Sequence, residues 1–179
     1  DADDSLWHTE TVFRLTQIRF NELLGDFADE DTLEAKLAAI ERENMKAYGY
    51  GAKGFTLSML QTALEISNGD VSTKVIRELL DAGREMMTHP IEPLPGVEDA
   101  LKALATRGRL ILITKGDLFH QESKLAASGL GSHFSGVEIV SEKTPEIYTR
   151  AFARHGGAAA TSLMTGNSVK SDILPMLAA

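Results

Sequence analysis

Between residues 12 and 88, apolar side chains return every three or four positions. Phe13, Leu15, Ile18, Leu23 and Leu24 form one series and Leu33, Leu37 and Ile40 a second. Leu57, Leu60 and Leu64 form a third, and Val75, Ile76, Leu79 and Leu80 a fourth. Such spacing lines up each series on one face of an α-helix, which predicts four helices with no strand between them. The breaks are legible too. Asp31 and Thr32 stand near one helix start, Gly49, Gly51 and Gly54 mark a flexible turn, and Asn68-Gly69-Asp70 marks another boundary.

After His89-Pro90 the pattern changes. Pro93, Pro95 and Gly96 punctuate the chain, a helix is predicted over 97–105, and the apolar run Leu110-Ile111-Leu112-Ile113 reads as a buried strand. The cycle then repeats: helix 121–128, strand 137–140, helix 145–155, strand 162–165, and a helix begun around Asp172. Alternation of this kind predicts an α/β fold, a doubly wound parallel sheet with crossover helices. The first ten residues carry Asp1, Asp3 and Asp4 and then Ser5, Leu6 and Trp7, and read as a loop leaving a strand. The expected organisation is an α/β core from 1–11 and 89–179, with an all-helical domain inserted at 12–88.

Composition narrows the chemistry. A chain of 179 residues buries one core plus a small accessory domain. The net charge of −8 argues against a nucleic-acid partner. A small-molecule partner is expected instead, and an anionic one would need local basic groups to hold it. Without cysteine there are no disulfides, no thiol catalysis and no cysteine-ligated metal. No apolar run reaches the roughly 18 residues of a membrane span, so no membrane partner is expected. The acidic N-terminal stretch is unlike a signal peptide, and a cytoplasmic location is expected.

Each strand predicted from Leu110 onward ends in polar residues. These are Thr114-Lys115-Gly116-Asp117, then Ser141-Glu142-Lys143, then Gly166-Asn167-Ser168 with Asp172 beyond. Ligands of open α/β sheets bind outside the carboxyl ends of the strands, so these groups are expected to converge. Carboxylates hold a hard cation, while ammonium, hydroxyl and backbone N–H groups hold an anion. Both together suit a metal-bound phosphate. Each residue also has an ordinary alternative: a solvated acidic terminus, Thr114 as a helix N-cap, Lys143 as a surface lysine before a Pro-started helix, and Asp172 as a first-turn acid.

The segment Asp1-Ala2-Asp3-Asp4-Ser5-Leu6 resembles the DxDx(T/V) first motif of the haloacid dehalogenase (HAD) superfamily, with Ser5 where Thr is usual. Thr114 after its apolar strand resembles motif II, and Lys143 in Ser-Glu-Lys-Thr-Pro-Glu resembles motif III. Gly166-Asn167-Ser168-Val169-Lys170-Ser171-Asp172 resembles the acidic motif IV. The four arrive in family order over nearly the whole chain. The resemblance implies a HAD-like, Rossmannoid core with a helical cap between motifs I and II. It further implies Mg²⁺-dependent hydrolysis of a small phosphorylated metabolite through an aspartyl-phosphate.

In that mapping Asp1 is the nucleophile, and Asp3 protonates the leaving oxygen and then activates water, which calls for a raised pKa at Asp3. Neighbours two apart on an extended chain point the same way. Thr114 holds phosphoryl oxygens, and Lys143 offsets negative charge. Asp1, Asp3, Asn167 and Asp172 would hold the Mg²⁺, Asn167 departing from the Asp of many relatives. An acid at Asp3 favours phosphoryl transfer over dehalogenation, which has no leaving group to protonate. Lys115, with Tyr50 and Lys53 in the Gly-rich turn, is expected to contact substrate. A phosphomutase and a non-catalytic binding module are the alternatives. Because a central strand should deliver Asp1, further residues are expected before Asp1 and after Ala179 in the full polypeptide.

Overall fold

The computed structural model describes residues 1–179. It divides into two compact units, one formed by Asp1–Thr9 with Pro90–Ala179 and the other by Glu10–His89.

The second unit is built of four helices, α1 (Glu10–Leu24), α2 (Glu30–Tyr48), α3 (Ala52–Ile66) and α4 (Thr73–Thr88). Asp29 caps α2 by accepting from Thr32 N at 2.9 Å, and Ser72 caps α4 by accepting from Val75 N at 3.2 Å. The core joins Phe20 and Leu24 of α1, Leu33 and Leu37 of α2, Phe55, Met59 and Ala63 of α3, and Leu79 and Met86 of α4. Helix α3 is turned relative to the sequence reading: Leu57 and Leu64 are exposed, while Phe55, Met59 and Ala63 face inward. Both sets fit the helical period, and close approach decides between them. A Cβ on Gly83 of α4 would overlap the Thr56 side chain of α3, and one on Gly54 would lie 2.8 Å from Gly49 O.

The first unit is an α/β core. Strands β1 (Ile111–Lys115) and β2 (Gly136–Val140) pair in parallel, Ile111 opposite Gly136 through Lys115 opposite Val140. Around them run α5 (Val97–Ala105), the crossover helix α6 (Leu118–Ser128) and α7 (Pro145–His155). Alternate side chains of β1 enter different cores. Leu112 packs with Ala2, Leu6, Trp7, Leu101 and Leu130, whereas Ile111 and Ile113 pack with Tyr148 and Ala151. A strand covered on both faces reads as a continuous apolar run, as this one does.

The expected strand at 162–165 does not form, and the sheet has two strands. Ser162 is extended. The main-chain nitrogen of Asp1 donates to Thr165 O at 3.1 Å. The chain then turns away, because Ser5 N and Leu6 N both donate back to Ala2 O, at 3.0 and 2.7 Å. Asp172 lies in a single π-helical turn, Val169–Ile173, which leads into α8 (Leu174–Leu177). No helix is long and apolar enough to cross a membrane.

Candidate active site

The acidic N-terminal segment is folded, not solvated. Asp4 adopts a left-handed conformation, φ 55°, which Asp tolerates better than most residues. Its N–H donates to Trp7 O at 2.8 Å, closing a tight turn. Ala2, Leu6 and Trp7 are buried in the cluster that contains Leu112, and this packing anchors the two acids beside β1.

Lys143 sits three residues beyond β2, just before Pro145 opens α7. It is 4% exposed. Its Nζ donates to Asp1 Oδ1 at 2.6 Å and to Asp172 Oδ1 at 2.5 Å. Asp172 is fully buried. Its second oxygen accepts from Ser168 N at 3.0 Å, and Ser168 Oγ in turn accepts from Ser171 N at 3.1 Å. A Cβ on Gly166 would overlap the Asp172 carboxylate, so glycine lets the main chain pass against it. Lys143 is therefore no surface lysine, and Asp172 no ordinary first-turn acid. Burial pushes the Lys143 ammonium below its usual range, while the Asp172 carboxylate beside it pulls the other way.

Asp3 has a separate set of partners. Its Oδ1 accepts from Lys124 Nζ at 2.5 Å, Thr9 Oγ1 at 2.8 Å and Trp7 Nε1 at 2.9 Å. Its Oδ2 accepts from Gln121 Nε2 at 2.8 Å, and the same amide nitrogen donates to Lys115 O at 2.8 Å. Gln121 and Lys124 are one helical turn apart on α6 and both buried. The raised pKa expected for Asp3 is overturned. Burial alone would raise it, but the Lys124 charge and the hydrogen bonds from Lys124, Gln121 and Trp7 outweigh burial and hold the carboxyl below its ordinary value.

Thr114 belongs to β1 and does not cap α6. That role falls to Asp117, which accepts from His120 N at 2.9 Å. Thr114 is 2% exposed, and its Oγ1 has no hydrogen-bond partner, which is uncommon for a buried hydroxyl. Lys115 Nζ lies 3.3 Å from Glu142 Oε1, and Asn167 is exposed. Tyr50 lies in the turn before α3 and Lys53 in its first turn, both in the helical unit.

Asp1, Lys143 and Asp172 are thus in direct contact, and the Asp3–Gln121–Lys115 hydrogen bonds tie the second acid to the end of β1, where Thr114 stands. Of the four residues expected around magnesium, Asp1 and Asp172 both bind Lys143, Asp3 binds Lys124 and Gln121, and Asn167 is exposed; no three acids or histidines cluster closely enough to hold a metal by themselves. Asp1 and Asp172 are brought together at Lys143 Nζ, to which each turns one carboxylate oxygen. That donor set fits Mg²⁺, which is bound through one or two carboxylates and keeps several waters.

Lys124, Gln121, Trp7 and Thr9 were not singled out from sequence as site residues. The one available signal was a polar pair three apart in a helix following a motif-bearing strand end. Periodicity does not tell whether such a face is buried or solvated.

The whole chain, residues 1–179, matches the family model of the haloacid dehalogenase-like hydrolases. Among solved structures, the chain is similar to a haloacid dehalogenase-like family hydrolase from Xanthomonas campestris, with 42% identity and a TM-score of 0.94 over 99% of this chain and 75% of that one. The HAD-hydrolase YfnB from Bacillus subtilis, bound to magnesium, is 17% identical with a TM-score of 0.63, over 98% of this chain and 79% of that one. The L-2-haloacid dehalogenase of Xanthobacter autotrophicus is 14% identical with a TM-score of 0.53, over 89% and 64%. These last two are likenesses of fold. No curated protein matches in sequence. The chain belongs to the haloacid dehalogenase-like hydrolases.

Proposed function

We propose that the protein is a Mg²⁺-dependent phosphomonoester hydrolase acting on a small phosphorylated metabolite. The observation that carries this reading is Asp3, a second carboxylate two residues from Asp1 held in a polar pocket of its own. A dehalogenase forms its ester by expelling halide and has no oxygen to protonate. A phosphatase needs a group that first gives and then takes a proton.

In the proposed reaction an Asp1 oxygen attacks phosphorus and the bond to the leaving oxygen breaks; Asp3, which its donors hold ionised in the free chain, takes up a proton as the monoester binds and gives it to that oxygen. Asp3 then takes a proton from water, whose oxygen attacks phosphorus and releases Asp1. Lys143 offsets the repulsion between an anionic nucleophile and an anionic ester. Thr114 Oγ1 and the backbone after it bind phosphoryl oxygens. Asp1 and Asp172 are the proposed Mg²⁺ ligands, and the bound ion would neutralise phosphoryl charge. The helical unit is proposed as a substrate-closing cap, with Tyr50 and Lys53, and Lys115 of the core, as substrate contacts. A cytoplasmic setting with no nucleic-acid or membrane partner completes the reading.

The test is phosphate release from a panel of phosphate esters with and without Mg²⁺. Turnover is expected only with Mg²⁺, and Asp1→Asn is expected to lower it by about 10³-fold or more. Halide release from a 2-haloacid without phosphate release from any ester would overturn the proposal. Transfer of the phosphoryl group back to substrate, with no free phosphate, would point to a mutase.

A further inference from the structure

The two oxygens of Asp3 are treated differently. Oδ1 receives three donors, from Lys124, Thr9 and Trp7, whereas Oδ2 receives one, from Gln121. A carboxylate oxygen offers about two lone-pair sites, so Oδ1 is saturated and Oδ2 keeps one site open.

The Gln121 amide cannot be turned over to block that site. Its Nε2 stands between two acceptors, Asp3 Oδ2 and Lys115 O, and a flip would set its oxygen against both. A side chain on Gly116 would crowd the same amide, since a Cβ there would lie 2.8 Å from Gln121 Nε2. Trp7 and Thr9 belong to the turn that carries Asp3 and move with it. Lys124 and Gln121 come from α6, so they fix the carboxylate relative to the sheet.

We propose that Lys124 is a positioning residue for Asp3: by occupying Oδ1 from α6 it leaves Oδ2, braced by Gln121, as the oxygen that exchanges the proton in both half-reactions. This rests on the hydrolase reading above. In the first half-reaction the Asp1 oxygen–phosphorus bond forms, the phosphorus–alcohol bond breaks, and the proton on Oδ2 passes to the alcohol. In the second, Oδ2 takes a proton from water, the water oxygen–phosphorus bond forms, and the phosphorus–Asp1 bond breaks. The sum is ester plus water giving alcohol plus phosphate.

The test uses Lys124→Met, which keeps the length of the side chain and removes its charge, with p-nitrophenyl phosphate and Mg²⁺. Nitrophenolate needs no proton to leave, but hydrolysis of the phospho-enzyme still needs Asp3 as base. The initial nitrophenolate burst is therefore expected to stay within roughly threefold of wild type while steady-state kcat and KM fall together by about 10²-fold, leaving kcat/KM near the wild-type value. Lys124→Arg is expected to recover most of the loss. The double variant Asp3→Asn with Lys124→Met is expected to be no slower than Asp3→Asn alone, because Lys124 acts through Asp3.

Equal slowing of burst and steady state, or a double variant slower by the full Lys124→Met factor, overturns the proposal. If Lys124→Met fails to fold, the same two phases are read from Gln121→Leu, which keeps the ion pair and is expected to slow the second phase. Wild-type protein that releases no phosphate from any ester overturns this proposal together with the hydrolase reading. Wild-type turnover with unselective losses overturns this proposal alone.

Discussion

One ammonium serves two carboxylates at the centre of the site, and this sets the cost of removing it. Lys143→Ala leaves Asp1 and the fully buried Asp172 without their shared cation. Breaking a buried ion pair from one side costs about 3–5 kcal/mol, so urea unfolding of this variant is expected to show a loss of that size. Asp3 makes a pH-dependent contribution. Its carboxyl is held below the ordinary value in the folded chain, so its stabilisation is fully present above its unfolded pKa of about 3.9 and fades as pH falls through the lower folded value. Urea midpoints from neutral pH down to about pH 3 should therefore fall more steeply for wild type than for Asp3→Asn. A constant difference between the two across that range would contradict the assignment.

At the scale of elements, α6 has two tasks. It is the crossover that makes β1 and β2 parallel, and it carries the Gln121–Lys124 face that grips Asp3. In the helical unit the matching constraint is the contact of α3 with α4 through Gly83. Gly83→Ala presses a methyl group onto Thr56, whose hydroxyl is already bound to Ala52 O at 2.7 Å. Overpacking of this kind costs about 1–3 kcal/mol, against about 1 kcal/mol of helix propensity gained. Thermal unfolding should show Gly83→Ala destabilised and Thr56→Ala restoring it in the double variant. An unchanged single variant would mean that the two helices separate easily.

For the whole molecule the question is how an acidic chain, net −8, manages an anionic ligand. Its cations at the site are committed to carboxylates: Lys143 to Asp1 and Asp172, Lys124 to Asp3, and Lys115 to Glu142. A dication at Asp1 and Asp172 would change that balance. Mg²⁺ binding the folded chain at 100 times its Kd would add about 2.7 kcal/mol. Calorimetry should therefore find a Tm that climbs with Mg²⁺ in wild type and climbs less in Asp172→Asn. Equal shifts in the two proteins would remove Asp172 from the metal site.

Local pattern alone determined the helix order, the apolar strand Ile111–Ile113 and the helical stretch between residues 12 and 88, because period and turn chemistry are short-range properties of the chain. The resemblance of the motifs grouped Asp1, Asp3, Thr114, Lys143, Asn167 and Asp172, and of these Asp1 and Asp172 both meet Lys143. Only the tertiary structure decided which face of α3 is buried and that Lys124 and Gln121 turn inward to Asp3. These outcomes depend on what lies across from a residue, not on what lies beside it in sequence. The lowered pKa of Asp3 is the clearest case. Its cause is an ammonium 121 positions away, brought within hydrogen-bond reach by the crossover of one helix.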